Sequence, residues 1–340
     1  MPPHEEDELI SSWLDRVARF YGESVADLLT ENGRTPKKLD LGAIDIGLTS
    51  APLAPIALLL NTSVSALAGH TVAAAYPWAT NNIARERGVF TFGSTAPLRP
   101  AVCPWCLEQQ RSIRGFSWLR REWVLAWRTI CPHHGDRLIE GTEAAVVPGW
   151  EDFFRRHPRV QQATCAGPTT STPCKWPAPQ PGTSPFAQLE RRMLHVQNLL
   201  AADPKHLRKR AADDATELAL MIRDILWALA RADRMFPERL AYEAFALQAF
   251  DSDWHIARRR SEVPADYTRL SVGIRHAMMA SAALIGGGEA SSVFGLCLPR
   301  SLSDNNLAFL LSILTAPDAE ELIRRSSQWS ARSQTALLKM

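Results

Sequence analysis

The string CPWC, followed after 24 residues by CPHH, constrains this chain more than any other feature. Cys103 and Cys106 form a hook of two thiols separated by two residues, and Cys131 with His134 forms a second. Together the hooks offer three sulfurs and one imidazole, the donor set of a closed tetrahedral zinc site that serves structure. Each hook holds a proline, Pro104 or Pro132, where the chain has to turn back on the metal. The gap between hooks is longer than in most zinc ribbons. Loop-closure entropy rises only logarithmically with length, so the excess costs little. His133 competes with His134 as fourth ligand, and the two-residue spacing favours His134. One Zn2+ is expected. A second site would have to use Cys165 and Cys174, which have eight residues between them and lack hook spacing, and Cys297 stands alone as a buried thiol.

A closed ligand set leaves no position open for an activated water, so catalysis at this metal is not expected. A zinc deaminase needs His-x-Glu upstream of Pro-Cys-x-x-Cys. Here the upstream match is His4-Glu5-Glu6 in a polar terminus, and the residue before Cys103 is Val102. No Gly-x-Ser-x-Gly elbow is present either. The expectation is a binding protein, not an enzyme.

A formal net charge of +2 over 340 residues does not by itself announce nucleic-acid binding. The charge is clustered, however. Arg120, Arg121 and Arg128 lie between the hooks, and Arg155, Arg156 and Arg159 follow them. Lys205, Arg208, Lys209 and Arg210 form a third group, and Arg258, Arg259 and Arg260 a fourth. Each group could neutralise a phosphate or two. The first and third are the candidate DNA contacts. The start MPPHEEDE is acidic and unlike a signal peptide, and the longest apolar run, Leu53 to Leu60, is interrupted by Pro55. A cytoplasmic chain without membrane contact is expected, with its cysteines reduced.

The remaining pattern is mainly helical. Leu9, Trp13, Val17 and Phe20 recur at helical spacing and Gly22 supplies a stop. Residues 53–70 read as two short helices, with Asn61-Thr62-Ser63 as the turn and Ser63 as N-cap of the second, which is the pattern of a helix-turn-helix or of a plain helical hairpin. Val89 to Phe92 read as a short strand, and Trp118, Trp123 and Trp127 as the core of a small zinc-centred module. Six prolines between residues 164 and 185 mark a linker. Beyond it Phe186 to Leu200, Leu218 to Leu229 and a block from Asp304 carry amphipathic spacing, with Pro317 interrupting the last. The expected organisation is a helical N-terminal domain over 1–98 and a zinc-finger region over 99–163. The linker at 164–185 and a helical C-terminal domain over 186–340 follow.

The zinc segment resembles that of the TniQ family, the target-selection proteins of transposons. The resemblance rests on CPWC followed by Leu107, an aromatic and arginine-rich stretch, Trp123 eight residues before Cys131, and then His134, Gly135 and Leu138. Trp13, Leu14, Arg16 and Ala18 in ELISSWLDRVARFYG extend it upstream, so that it covers roughly residues 5–140. It implies helix-turn-helix elements joined to zinc-finger modules. It also implies a non-catalytic adaptor that links target DNA, or a DNA-bound RNA-guided CRISPR effector, to an AAA+ ATPase regulator of transposition, with a second copy of the chain as a further partner. The alternative from another class is a zinc-containing transcriptional regulator unrelated to transposition.

Overall fold

Helix α1, Ile10–Phe20, buries Ile10, Trp13, Leu14, Val17 and Ala18 on one face. It ends in a Schellman turn: Gly22, at φ 78°, donates to Arg19 O and Glu23 donates to Ala18 O. The computed structural model describes residues 1–31, 41–47, 53–77, 101–139, 187–201, 220–237, 239–249, 267, 270, 272–285 and 306–329. Backbone contacts divide the chain into two units, residues 1–128 with 139–170, and residues 129–138 with 171–340. Among the described residues the structure is helical, and β-pairing is confined to isolated bridges.

In the first unit α1 packs with α2 (Val25–Glu31), α3 (Leu41–Ile46), α4 (Leu53–Leu59) and α5 (Val64–Gly69); α6 (Val72–Ala75) and α7 (Pro104–Arg114) follow. Leu14, Ile44, Ile56, Leu60 and Leu67 are almost fully buried in this core, each contributing about 1.5–3 kcal/mol. Asp45 of α3 accepts the Ser11 N–H at 2.8 Å and the Ser11 hydroxyl at 2.6 Å, which supplies α1 with the cap its own Leu9 cannot. The expected pair of short helices is present at 53–69, and Ser63 caps the second by accepting the Ala66 N–H at 3.0 Å. Asn61, at φ 48°, makes the turn. At the end of α3, Gly47 has φ 83° and a Cβ there would lie 2.8 Å from the Thr71 hydroxyl, so this close approach requires glycine.

Residues 116–121 are sewn onto the start of α1. Leu9 N–H donates to Leu119 O, Arg121 N–H to Asp7 O, and Leu119 N–H to the Ser12 hydroxyl. The Trp118 indole donates to Asp7 at 2.8 Å, and the Arg16 guanidinium lies 4.3 Å from the Phe116 ring centroid. Arg16 also grips the buried Glu8 with two hydrogen bonds, at 2.8 and 2.5 Å. Helix α1 and residues 116–121 are therefore one folded piece.

In the second unit, α8 (Ala187–Ala201), a helix α9 over 220–229, α10 (Ala241–Ala249), α11 (Val272–Ile285), α12 (Asn306–Ile313) and α13 (Ala316–Ser326) are described. The described side chains of α11 are all buried, including Arg275 and His276, as expected of a central helix. The last block is broken into α12 and α13 ahead of Leu322 and Ile323, as expected, and Pro317 stands in the first turn of α13, where its missing N–H costs nothing. The strand Val89–Phe92, the linker 164–185, residues 155–159, 205–210 and 258–260, and Cys165, Cys174 and Cys297 lie outside the described residues.

Candidate metal centre

The first hook sits at the start of a helix. Cys103 is the N-cap of α7 (Pro104–Arg114), Pro104 its first residue, and Cys106 lies in the first turn. Pro104 is thus no turn residue; it presets the first helical residue. Both sulfurs thus stand at the positive end of a helix dipole, which favours thiolate, the form that binds metal. The second hook is a tight turn. Cys131 N–H donates to Asp136 O at 2.8 Å and Gly135 N–H to Cys131 O at 2.8 Å, with Gly135 at φ 76°. A bridge between Ile130 and Arg137 closes its base, and one between Val102 and Ile139 flanks the first hook.

The candidate ligand atoms of Cys103, Cys106, Cys131 and His134 all lie within 4.8 Å of one another. A tetrahedron with Zn–S of about 2.3 Å places its ligand atoms roughly 3.5–4 Å apart, so the group needs only slight contraction around an ion. Cys131 Sγ and His134 Nδ1 are already 3.7 Å apart. The three cysteines are buried and His134 is exposed. Of the two neighbouring histidines it is His134, not His133, that joins the group. The donor set fits zinc. These residues would hold the ion, and it would supply folding energy to the segment around it.

Gln197 of α8 holds the backbone that leads into the second hook. Its Oε1 accepts the N–H groups of Thr129 and Ile130 at 3.1 and 3.2 Å, and its Nε2 donates to the Thr129 hydroxyl at 2.8 Å. His276 of α11 is 3.3 Å from the same hydroxyl, and burial holds its imidazole down to about 3. Only a lone Gln in an amphipathic helix marks this role in the sequence.

The tryptophans are core: Trp123 and Trp127 are fully buried and Trp118 nearly so. The arginines between the hooks do not form one exposed cluster. Arg128 is 2% exposed and lies 3.9 Å from Glu122, so it is a buried structural side chain, contrary to its expected place on a DNA-facing surface. Arg120 is paired with Asp7 at 2.8 Å. Arg121 is half-buried and donates to the carbonyls of Glu6 and Gly69. No helix among the described residues is long and apolar enough to cross a membrane.

Residues 1–138 match the family model TniQ. The matched span holds the helical core, the α4–α5 pair and all four candidate ligands. No curated protein and no solved structure matches the chain.

Proposed function

We propose that this chain, TniQ-like over residues 1–138, is a target-selection adaptor in transposition. It links target DNA, or a DNA-bound RNA-guided effector, to an AAA+ ATPase that regulates the transposase. The single observation that carries this reading is the family match over the span that also contains the Cys3His group. In this reading the metal is structural. Cys103, Cys106, Cys131 and His134 hold it, and its work is to fix the fold between the hooks, not to activate water.

The α4–α5 pair serves as the DNA-facing helix-turn-helix. Its support is the capped second helix, whose residues Val64, Ser65 and Ala66 are exposed while Leu67 anchors it to the core. The protein acts in the cytoplasm, without catalysis of its own, and a second copy of the chain is a further partner. The basic group Lys205, Arg208, Lys209 and Arg210 supplies phosphate contacts.

A co-purification tests the adaptor role. Tagged protein isolated with the transposon's own ATPase and labelled target DNA should retain both, and DNA retention should fall steeply with salt. Retention of DNA alone, with no ATPase at any salt concentration, would favour the transcriptional-regulator reading.

A further inference from the structure

The turn between α9 and α10 presents an apolar tip among arginines. Its sequence is RADRMFPERL, residues 231–240. Buried Asp233 fixes the tip through one carboxylate oxygen, which accepts the N–H groups of Met235 at 2.7 Å and Phe236 at 3.4 Å. Asp233 N–H donates to Arg239 O at 2.9 Å, Arg239 N–H to Phe236 O at 2.8 Å, and Arg234 N–H to Ile313 O at 2.8 Å. Ala241 N–H closes the base on Arg231 O at 2.7 Å. Met235 is 75% and Phe236 47% exposed. Pro237, which follows them, is exposed as well.

Met235 and Phe236 are adjacent on one fixed turn, which gives the tip a shape that a partner can grip. Its surroundings narrow the partner. Arg234 and Arg239 are exposed on either side of the tip, and the Arg239 guanidinium lies 4.7 Å from the Phe236 ring centroid. Asp233 is committed to the backbone of the tip itself. The exposed Arg234 and Arg239 suit a partner that offers anions on both sides of an apolar slot. Duplex DNA does so: phosphates flank each base step, and side chains such as Phe, Met and Pro can enter between the bases from the minor groove.

We propose that residues 234–237, with Arg239, form a wedge that inserts Phe236, backed by Met235, at a base step of duplex DNA, with Arg234 and Arg239 on the neighbouring phosphates. This assigns a contact to the second unit, outside the matched residues. It rests on the reading that the chain meets DNA itself, and is independent of the metal and of any ATPase.

The test uses the full chain and a duplex of about 30 base pairs, long enough to report a bend. It carries a fluorophore pair at its ends and 2-aminopurine at a central TA step. The wedge should raise 2-aminopurine emission by unstacking it and should shorten the end-to-end distance. Phe236→Ala should abolish both signals at saturating protein, and Phe236→Trp should restore them. Arg234→Ala with Arg239→Ala should flatten the slope of log affinity against log salt by about 2, from a value near 0.9 per phosphate. All of these side chains are exposed, so an unchanged melting temperature should accompany each variant. Equal bending by Phe236→Ala would overturn the wedge while leaving target selection standing. So would a change in these variants confined to self-association or to protein capture, or failure of the full chain to bind the duplex. Bending by a chain that has no effect on insertion would sink target selection and leave the wedge.

Discussion

Gln197 and Thr129 are joined by two hydrogen bonds of opposite sense: the Gln197 carbonyl oxygen accepts the Thr129 N–H at 3.1 Å, and its amide nitrogen donates to the Thr129 hydroxyl at 2.8 Å. The same oxygen takes the Ile130 N–H, so one side chain satisfies two successive backbone donors just ahead of Cys131. Gln197→Leu keeps the volume and orphans both donors. A buried unpaired group costs about 1–3 kcal/mol, so the variant should lose stability of that order in denaturant titration. It should also release metal to a chromophoric chelator faster than the parent protein. Parental stability and release rate together would show that Gln197 does not position the hook.

Arg16 is the partner of Glu8, whose carboxylate is fully buried at the start of α1. Burial pushes the Glu8 carboxyl upward, against the pull of Arg16. Arg16→Met strands that carboxylate, and breaking a buried pair from one side typically costs about 3–5 kcal/mol. Adding Glu8→Gln should recover most of the loss. A single variant as stable as the parent would remove this pair from the account of how residues 1–20 are held.

His4 stacks on His70 with ring centroids 3.8 Å apart, and its Nε2–H donates to Glu8 O, 3.0 Å away. Burial first, then His70, holds His4 down to about 3 from its ordinary 6.5. His70 is lowered too, by burial and by Arg121. The unfolded chain therefore takes up protons between about pH 6.5 and 3 that the folded chain refuses. Stability present above pH 6.5 is lost as pH falls through that window. Melting temperatures from pH 7.5 to 5 should show the decline, and His4→Phe should make it shallower. An unchanged pH dependence in that variant would contradict the assignment.

Some of this architecture was legible in the residue order and some was not, for physical reasons. α1, the α4–α5 pair and the Ser63 cap are written in local periodicity and capping chemistry, which depend on residues three or four apart. The metal group is legible because each hook is local and the donor types are rare. α11 left no such trace: its described side chains are all buried, so it has no polar face and hence no period. The burial of Arg128 beside Glu122 is hidden from the sequence, because charge pattern says nothing about burial. The support that Gln197 gives Thr129 spans 68 residues and is invisible to any local rule.

The metal group makes its own prediction. Purified protein should carry about one zinc per chain, and Cys131→Ser should lose it. Structural zinc contributes of order 10 kcal/mol in small zinc-finger peptides, so loss should appear as protease sensitivity between residues 100 and 140. A protein with no bound metal under non-chelating purification, or a Cys131→Ser variant with the parental protease pattern, would oppose a structural zinc site.

Mapping of insertion sites tests target selection most directly. A transposition reaction reconstituted with the cognate transposase and ATPase, with and without this protein, should differ in where insertions fall. With it, they should concentrate at one preferred target; without it, they should become rare or scattered. Insertions equally frequent and equally distributed in both reactions would contradict the account.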